Sequence, residues 1–294
     1  MNQETLTNCP ICTSTHFSTH LVCKDYLISQ SDFTIQVCNQ CGFRFTNPRP
    51  DSASIGAYYQ SADYVSHNDS GGGLINKVYR LVRQYTLQQK LKLINSLQTK
   101  PGKVLDVGCG TGLFLETCQK GGWSINGVEP DANARTVATS RLKIQIKADI
   151  DQVVDGEFDL LTMWHVLEHV PDLTETLKKL RSRVRVGGTL LIAVPNSDSL
   201  DAHHFQNYWA AYDVPRHLSH FTPPTLKKLV NEGGFIFKEM HPMYFDAFYI
   251  SMLSTKYRDG RTNWLESIYQ GLRSNIRARR TGNYSSLIYV FQKL

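Results

Sequence analysis

The chain has 294 residues, 41% hydrophobic and 20% charged, with a formal net charge of +6. This is the composition of a soluble globular protein with room for one large α/β domain and a small appendage. It excludes a membrane-spanning helix, since no run approaches the roughly 18 apolar residues one needs, and the charge is too modest to argue for nucleic acid by itself.

The opening residues Met1-Asn2-Gln3-Glu4 lack the basic start and apolar run of a signal peptide. A cytoplasmic setting is therefore expected, where the seven cysteines stay reduced and act as ligands or core residues rather than disulfides. Four of them form two C-x-x-C pairs, Cys9 with Cys12 and Cys38 with Cys41, flanking a strand-like alternation at Phe33, Ile35 and Val37. Paired thiolates at that spacing suit one tetrahedral Zn2+ held by Cys9, Cys12, Cys38 and Cys41, with Gly42 letting the backbone turn beneath the metal. The competing reading is a set of ordinary thiols. Cys23, His16 and His20 are nearby alternatives without a paired spacing. The expectation is a zinc-ribbon-like module over residues 1–50, ended by Asn47-Pro48-Arg49-Pro50. Its basic and acidic residues balance, so the metal reads as structural, with a part in substrate binding or dimer contacts left open.

Residues 51–100 read as a linker and helical cap. They hold Tyr58, Tyr59 and Tyr64, a Gly71-Gly72-Gly73 joint, and apolar residues at helical spacing that predict a long helix over 74–97. From residue 101 onward, strands at 104–107, 124–128, 144–146, 158–164 and 189–194 alternate with helices at 113–120, 131–140 and 172–184, the last closed by Gly187-Gly188. Short apolar strands separated by helices predict a parallel sheet covered on both faces. Thr222-Pro223-Pro224 opens another helix and Gly233-Gly234 closes it. The final strands fall at 235–240 and 287–291. Insertions at about 197–221 and 243–282 interrupt this 101–294 domain.

The strongest signal is Val104-Leu105-Asp106-Val107-Gly108-Cys109-Gly110-Thr111-Gly112. Glycines at alternate positions after a strand let the backbone turn tightly and approach a ligand where a Cβ would clash. Alone, such a turn is weak evidence. Here Asp106 lies in the strand before it, and Glu129 ends the next strand, where a carboxylate can accept both hydroxyl hydrogens of a ribose. Asp149 follows the third strand, placed to accept from an adenine amino group. An NAD-binding fold is the alternative, but the third glycine of G-x-G-x-x-G is missing.

D-V-G-C-G-T-G, V-E-P, A-D-I, F-D-L-L-T-M-W-H-V-L-E-H-V-P-D and V-G-G-T-L-L-I-A-V-P-N, in that order, resemble the class I S-adenosylmethionine (SAM) dependent methyltransferases. The likeness covers about residues 104–239 and is closest to the bacterial group that includes ubiquinone-type O-methyltransferases. It implies an α/β Rossmann-like seven-stranded sheet with helices on both faces, ending in an antiparallel hairpin, with SAM across the strand ends. By position, Gly108, Gly110 and Gly112 would border the methionine portion of SAM and Asp106 would help hold its amino group. Glu129 would take the ribose and Asp149 the adenine.

After the fourth strand, His165 reads equally as SAM-pocket wall or as a base for the acceptor, while Glu168 and His169 read as hydrogen-bonding supports. His217 and His220, in Pro215-Arg216-His217-Leu218-Ser219-His220, fall on the insertion after the fifth strand, beside Tyr208, Trp209, Tyr212 and Asp213. They read as candidate bases ahead of His165, or as structural links; Tyr59 or Tyr64 could orient the acceptor instead. The 243–282 insertion carries seven basic residues against three acids, +4 of the net +6. It reads as a solvated helical cap, or as a surface for an anionic acceptor or an anionic membrane. The expected function is methyl transfer to a small-molecule or carrier-linked acceptor, foremost at oxygen. Sugar C-methylation and nucleic-acid modification through the ribbon and basic insertion are the alternatives. Against the last stands the lack of an N-P-P-Y-type tetrad.

Overall fold

The computed structural model describes residues 2–60, 74–153 and 158–294, with backbone alone over 74–79. The Gly71–Gly73 joint and Tyr64 lie outside the described residues. At the N-terminus, β1 (Gln3–Glu4), β2 (Phe17–Lys24), β3 (Asp32–Cys38), β4 (Arg44–Thr46) and β5 (Arg49–Pro50) precede a long helix, α1 (Leu74–Ser96). Strands then alternate with helices: β6 (Lys103–Val107), α2 (Leu113–Lys120), β7 (Ser124–Val128), α3 (Ala132–Leu142), β8 (Phe158–Trp164), α4 (Leu173–Arg183) and β9 (Val184–Pro195). The remainder runs α5 (Leu200–Phe205), β10 (Ser219–His220), α6 (Pro223–Glu232), β11 (Phe235–Pro242), α7 (Asp246–Asp259), α8 (Trp264–Thr281) and β12 (Ser286–Lys293).

Helix starts follow side-chain caps. Asp131 accepts the Ala134 N–H at 2.7 Å and Asp172 the Glu175 N–H at 2.9 Å, while Thr222 and Thr225 form a reciprocal capping box ahead of α6. The central sheet has the order β11-β12-β9-β8-β6-β7, with β6 to β9 parallel and β12 antiparallel between β9 and β11. This is the Rossmann-like arrangement with its antiparallel hairpin. Among the described residues, six strands rather than seven make up the ladder. At the predicted strand 144–146 a single parallel bridge forms, Val128 with Lys147. The left-handed Lys143 on one side and the turn capped by Asp149 on the other leave too little extended chain for more. Helix α4 ends at Arg183, and Gly187-Gly188 lie inside β9 rather than closing the helix. Val184 and Val186 favour extended backbone, and Val184 already pairs with Phe158.

A second sheet has the order β10-β4-β3-β2. Its edge strand comes from the 197–221 insertion: Ser219 pairs with Phe45 and His220 with Arg44. The cysteine segment and the insertion therefore share one sheet. Phe43 and Phe45 are buried in the same cluster as Leu105, Leu161, Leu190 and Phe221, and each such ring contributes about 1.5–3 kcal/mol on burial. A second clamp is Arg216, 1% exposed, whose guanidinium meets Asp213 at 2.6 Å, Asp25 at 3.1 Å and the Tyr58 carbonyl at 3.2 Å. Asp25 in turn accepts the N–H groups of Leu27, Ile28 and Ser29.

Candidate active site

The glycine turn sits between β6 and α2 and is tied to β7: the N–H groups of Gly108 and Cys109 both donate to the Val128 carbonyl, at 2.8 and 3.0 Å. Its glycines serve different ends. At Gly108 a Cβ would lie 2.4 Å from Val166 Cγ2, and at Gly112 2.9 Å from Leu142 Cδ1, so both permit close packing. At Gly110, with φ +54°, a Cβ would meet nothing within 4 Å. That space opens beside Glu129, whose Oε2 accepts the Gly110 N–H at 2.7 Å and whose Oε1 accepts the Asp131 N–H at 2.9 Å. Two backbone donors fix this carboxylate, and each oxygen keeps a lone pair for a ligand hydroxyl. Asp149 is exposed and caps the following turn through Oδ1, which accepts the Asp151 N–H at 2.8 Å.

Asp106 is 2% exposed and accepts the Thr162 hydroxyl at 2.6 Å. Burial pushes its carboxyl up to about 7, against the pull of that hydrogen bond and of Lys90. Lys90, on α1, places its ammonium 3.9 Å from the centre of the Trp164 ring, a cation–π contact. Burial lowers it to about 8 although Asp106 and Asp246 oppose the shift. Lys90 escaped the sequence reading, and its one signal is a lysine one helical turn from the buried Ile94. Trp164 Nε1 and Glu168 Oε2 are buried without partners among the described residues.

His165 leaves β8 with φ +56° and its N–H on the Ala193 carbonyl at 2.9 Å. Its ring lies between two carboxylates: Nδ1 is 3.2 Å from Glu168 Oε1 and Nε2 3.2 Å from Asp246 Oδ2. Burial disfavours the imidazolium, but Asp246 and Glu168 outweigh it and raise His165 to about 10. Asp246, also unforeseen, opens α7 and brings the 243–282 insertion onto the end of the sheet. His169 Nδ1 lies 3.0 Å from the Arg216 carbonyl and 3.0 Å from the Tyr59 hydroxyl. Burial, then the proximity of His217, lowers it to about 4. His217 gives its Nδ1–H to the Ala211 carbonyl at 2.9 Å, which leaves the lone pair on Nε2. One donor atom from each of Glu168, His169 and His217 lies within 4.8 Å of the others. His220 stands apart from them: 4% exposed, it meets Thr46 Oγ1 at 3.0 Å and holds β10 to β4. Burial drives its pKa far below the usual histidine range.

The sulfurs of Cys9, Cys12, Cys38 and Cys41 lie within 4.8 Å of one another, with Cys9 to Cys41 at 3.6 Å and Cys12 to Cys38 at 3.5 Å. Each pair sits on a tight turn, with Thr13 N–H on the Cys9 carbonyl at 3.0 Å and Gly42 N–H on the Cys38 carbonyl at 2.9 Å. Gly42 has φ +74°, the conformation its place after the last cysteine called for. Burial works against the Cys38 thiolate, but the N–H groups of Cys41 and Gln40 overcome it and bring Cys38 down to about 7. Cys23, His16 and His20 are outside this cluster. A separate cleft of about 570 Å³ between Ile11, Leu177, Arg181, Leu229 and Lys293 is lined by none of the glycine-turn residues.

The family described as a methyltransferase domain matches residues 79–236. A ubiquinone biosynthesis O-methyltransferase of Coxiella burnetii is 33% identical over 116 residues, 36% of this chain and 50% of that protein. One from Pseudomonas aeruginosa is 30% identical over 103 residues, 32% of this chain and 44% of the relative. The chain spans about half the length of the curated relatives it matches. Magnesium protoporphyrin IX methyltransferase from Synechocystis PCC 6803, with bound SAH, superposes with a TM-score of 0.54 at 15% identity, over 83% of this chain and all of that one. A mycolic acid cyclopropane synthase with SAH and CTAB gives 0.50 at 14% identity, over 71% of this chain and 85% of the other. At such identities these two show the fold alone. Sheet order, glycine turn, Glu129 at the end of β7 and the family match agree: the chain belongs to the class I SAM-dependent methyltransferase family.

Proposed function

We propose that this protein transfers the methyl group of SAM to a hydroxyl oxygen of a small-molecule or carrier-linked acceptor. The observation that carries this is the open space over Gly110 beside the backbone-fixed Glu129 and the buried Asp106. Those residues fit SAM: Glu129 for the ribose, Asp149 for the adenine amino group, Asp106 for the methionine ammonium, and Gly108, Gly110 and Gly112 as the turn around it. SAM brings an already activated methyl group, so the chain's work is alignment, exclusion of water and removal of one proton. His217 is the proposed base, because its Nδ1–H is committed to Ala211, which puts the lone pair that would take the acceptor proton on Nε2, 4.0 Å from Asp213 Oδ2. His165, held as a cation by Asp246 and Glu168, binds the insertion down and walls the site. His220 links β10 to β4. The names of the ubiquinone relatives support oxygen as the atom methylated.

One Zn2+ on Cys9, Cys12, Cys38 and Cys41 completes the proposal. Four Zn–S bonds of about 2.3 Å in a tetrahedron put sulfurs about 3.7–3.8 Å apart, close to the 3.6 and 3.5 Å found. The metal would tie the turn between β1 and β2 to the turn between β3 and β4, and so hold the edge on which β10 rests. The test is methyl transfer from labelled SAM to a panel of phenols, catechols and sugar nucleotides, with the product's methyl resonance read by NMR. A methyl ether is expected. A methyl group on carbon, or transfer to RNA alone, would overturn the proposal.

A further inference from the structure

Helix α8 is amphipathic the wrong way round for a soluble protein. Ser267, Gln270, Gly271, Ser274 and Ala278 form its buried face. Trp264, Leu265, Ile268, Tyr269, Leu272 and Ile276 form a stripe at helical spacing that is 49–84% exposed. The orientation is enforced by specific contacts. Ser274 donates to the buried Asp201 at 2.7 Å, the Thr255 and Ser267 hydroxyls meet at 3.2 Å, and a Cβ on Gly271 would lie 2.5 Å from the Phe248 ring. Rolling the helix to bury its apolar stripe would break all three. Phe245 and Tyr249, at the start of α7, are further exposed aromatic residues, at 40% and 46%. A continuous apolar face of this kind on a folded domain calls for a partner.

Charge indicates which partner. Arg273, Arg277, Arg279 and Arg280 lie on the same helix, all exposed, and none forms a salt bridge among the described residues. Glu266, the one acid on the helix, is already taken by Arg258 at 2.7 Å. A contact between copies that ran the two helices parallel would bring the two sets of arginines together. An anionic bilayer meets both features, taking the Trp, Leu, Ile and Tyr side chains into its boundary and the arginines at its headgroups. No described helix is long and apolar enough to cross a membrane, so α8, about 27 Å long, would lie flat on the surface. We propose that α8 docks this protein on an anionic phospholipid surface, with the Trp264–Ile276 stripe inserted and the arginines at the headgroups.

The test is flotation of the full chain with phosphatidylglycerol/phosphatidylcholine vesicles and with phosphatidylcholine alone, alongside fluorescence of Trp264 and light scattering for mass. Binding to the anionic vesicles is expected, with a blue shift lost in Trp264→Phe, and roughly tenfold or more weaker binding to neutral vesicles or at high salt. Ile268→Glu and Leu272→Glu, at exposed positions, should each abolish flotation while melting temperature and SAM affinity hold. The triple change Arg273→Gln, Arg277→Gln, Arg280→Gln should do so through charge alone. No flotation of the unaltered chain would overturn the proposal. So would a dimer that Ile268→Glu dissociates without any vesicle binding, which would make a second copy the occupant.

Discussion

Gly110→Ala separates the ligand role of the glycine turn from its structural role. At φ +54° an alanine is tolerated at a cost of about 1–2 kcal/mol, and its methyl group would meet no protein atom within 4 Å. Melting should therefore fall by only a few degrees, since about 1 kcal/mol corresponds to roughly 2–4 °C in a domain of this size. The same methyl group occupies the space beside Glu129 where the cofactor must pass. SAM affinity should drop at least about tenfold, the equivalent of roughly 1.4 kcal/mol. Gly108→Ala is the contrasting variant: its Cβ would sit 2.4 Å from Val166 Cγ2, so it should destabilise the fold, with partial rescue by Val166→Ala. Calorimetry with SAM and thermal unfolding of each variant provide the assay. Normal SAM binding by a folded Gly110→Ala protein would refute the reasoning.

Arg216→Ala leaves Asp25 and Asp213 without their counter-charge, and should cost about 3–5 kcal/mol in thermal or denaturant unfolding; an unchanged transition would contradict the clamp. Asp25 is held below its ordinary pKa, despite burial, by hydrogen bonds from Ser29 and the charge of Arg216. Its contribution is thus present at neutral pH and lost as pH falls below about 4, which acid titration of stability would detect. His165, raised to about 10, contributes fully below about 6.5 and loses its contribution as pH rises through about 10. NMR should find its ring charged throughout pH 6–8, and Asp246→Asn should bring its titration down toward neutrality. His217→Ala should lower turnover by roughly 10²–10⁴-fold with SAM affinity nearly unchanged, and a near-normal single-turnover rate would remove His217 as base. Metal analysis should find about one zinc per chain, lost in Cys38→Ser. Because Cys9 and Cys38 lie in the main buried cluster, that variant should also lower the melting temperature of the whole protein.

Where elements are punctuated locally, the sequence was legible. Residues 113–120, 124–128 and 158–164 run as predicted, because glycine turns and caps mark their ends. Strand β2 went unseen because Phe17–Lys24 mixes serine, threonine, histidine and lysine without a clean alternation. The strand at 144–146 failed for the opposite reason: its pattern was right, but the turns on either side left one bridge. Long-range pairing was the larger blind spot. Nothing in Ser219-His220 announces Phe45 and Arg44 as partners, so His217 and His220 looked alike. In the structure His217 adjoins Glu168 and His169, while His220 is sealed against Thr46. Asp246 and Lys90 were missed likewise, since each reaches His165 or Trp164 from an element distant in sequence. The cysteine spacing, by contrast, named four sulfurs that the fold does bring together, because short turns fix each pair.

Isothermal titration of the purified, unaltered chain with SAM, with its demethylated product and with NAD tests the central claim most directly. One-to-one binding of SAM and of the demethylated product in the micromolar range, with none of NAD, is expected, and Glu129→Ala should weaken it by roughly 1.5–3 kcal/mol. Tight binding of NAD with no heat from SAM would contradict the assignment of the glycine turn and of everything built on it.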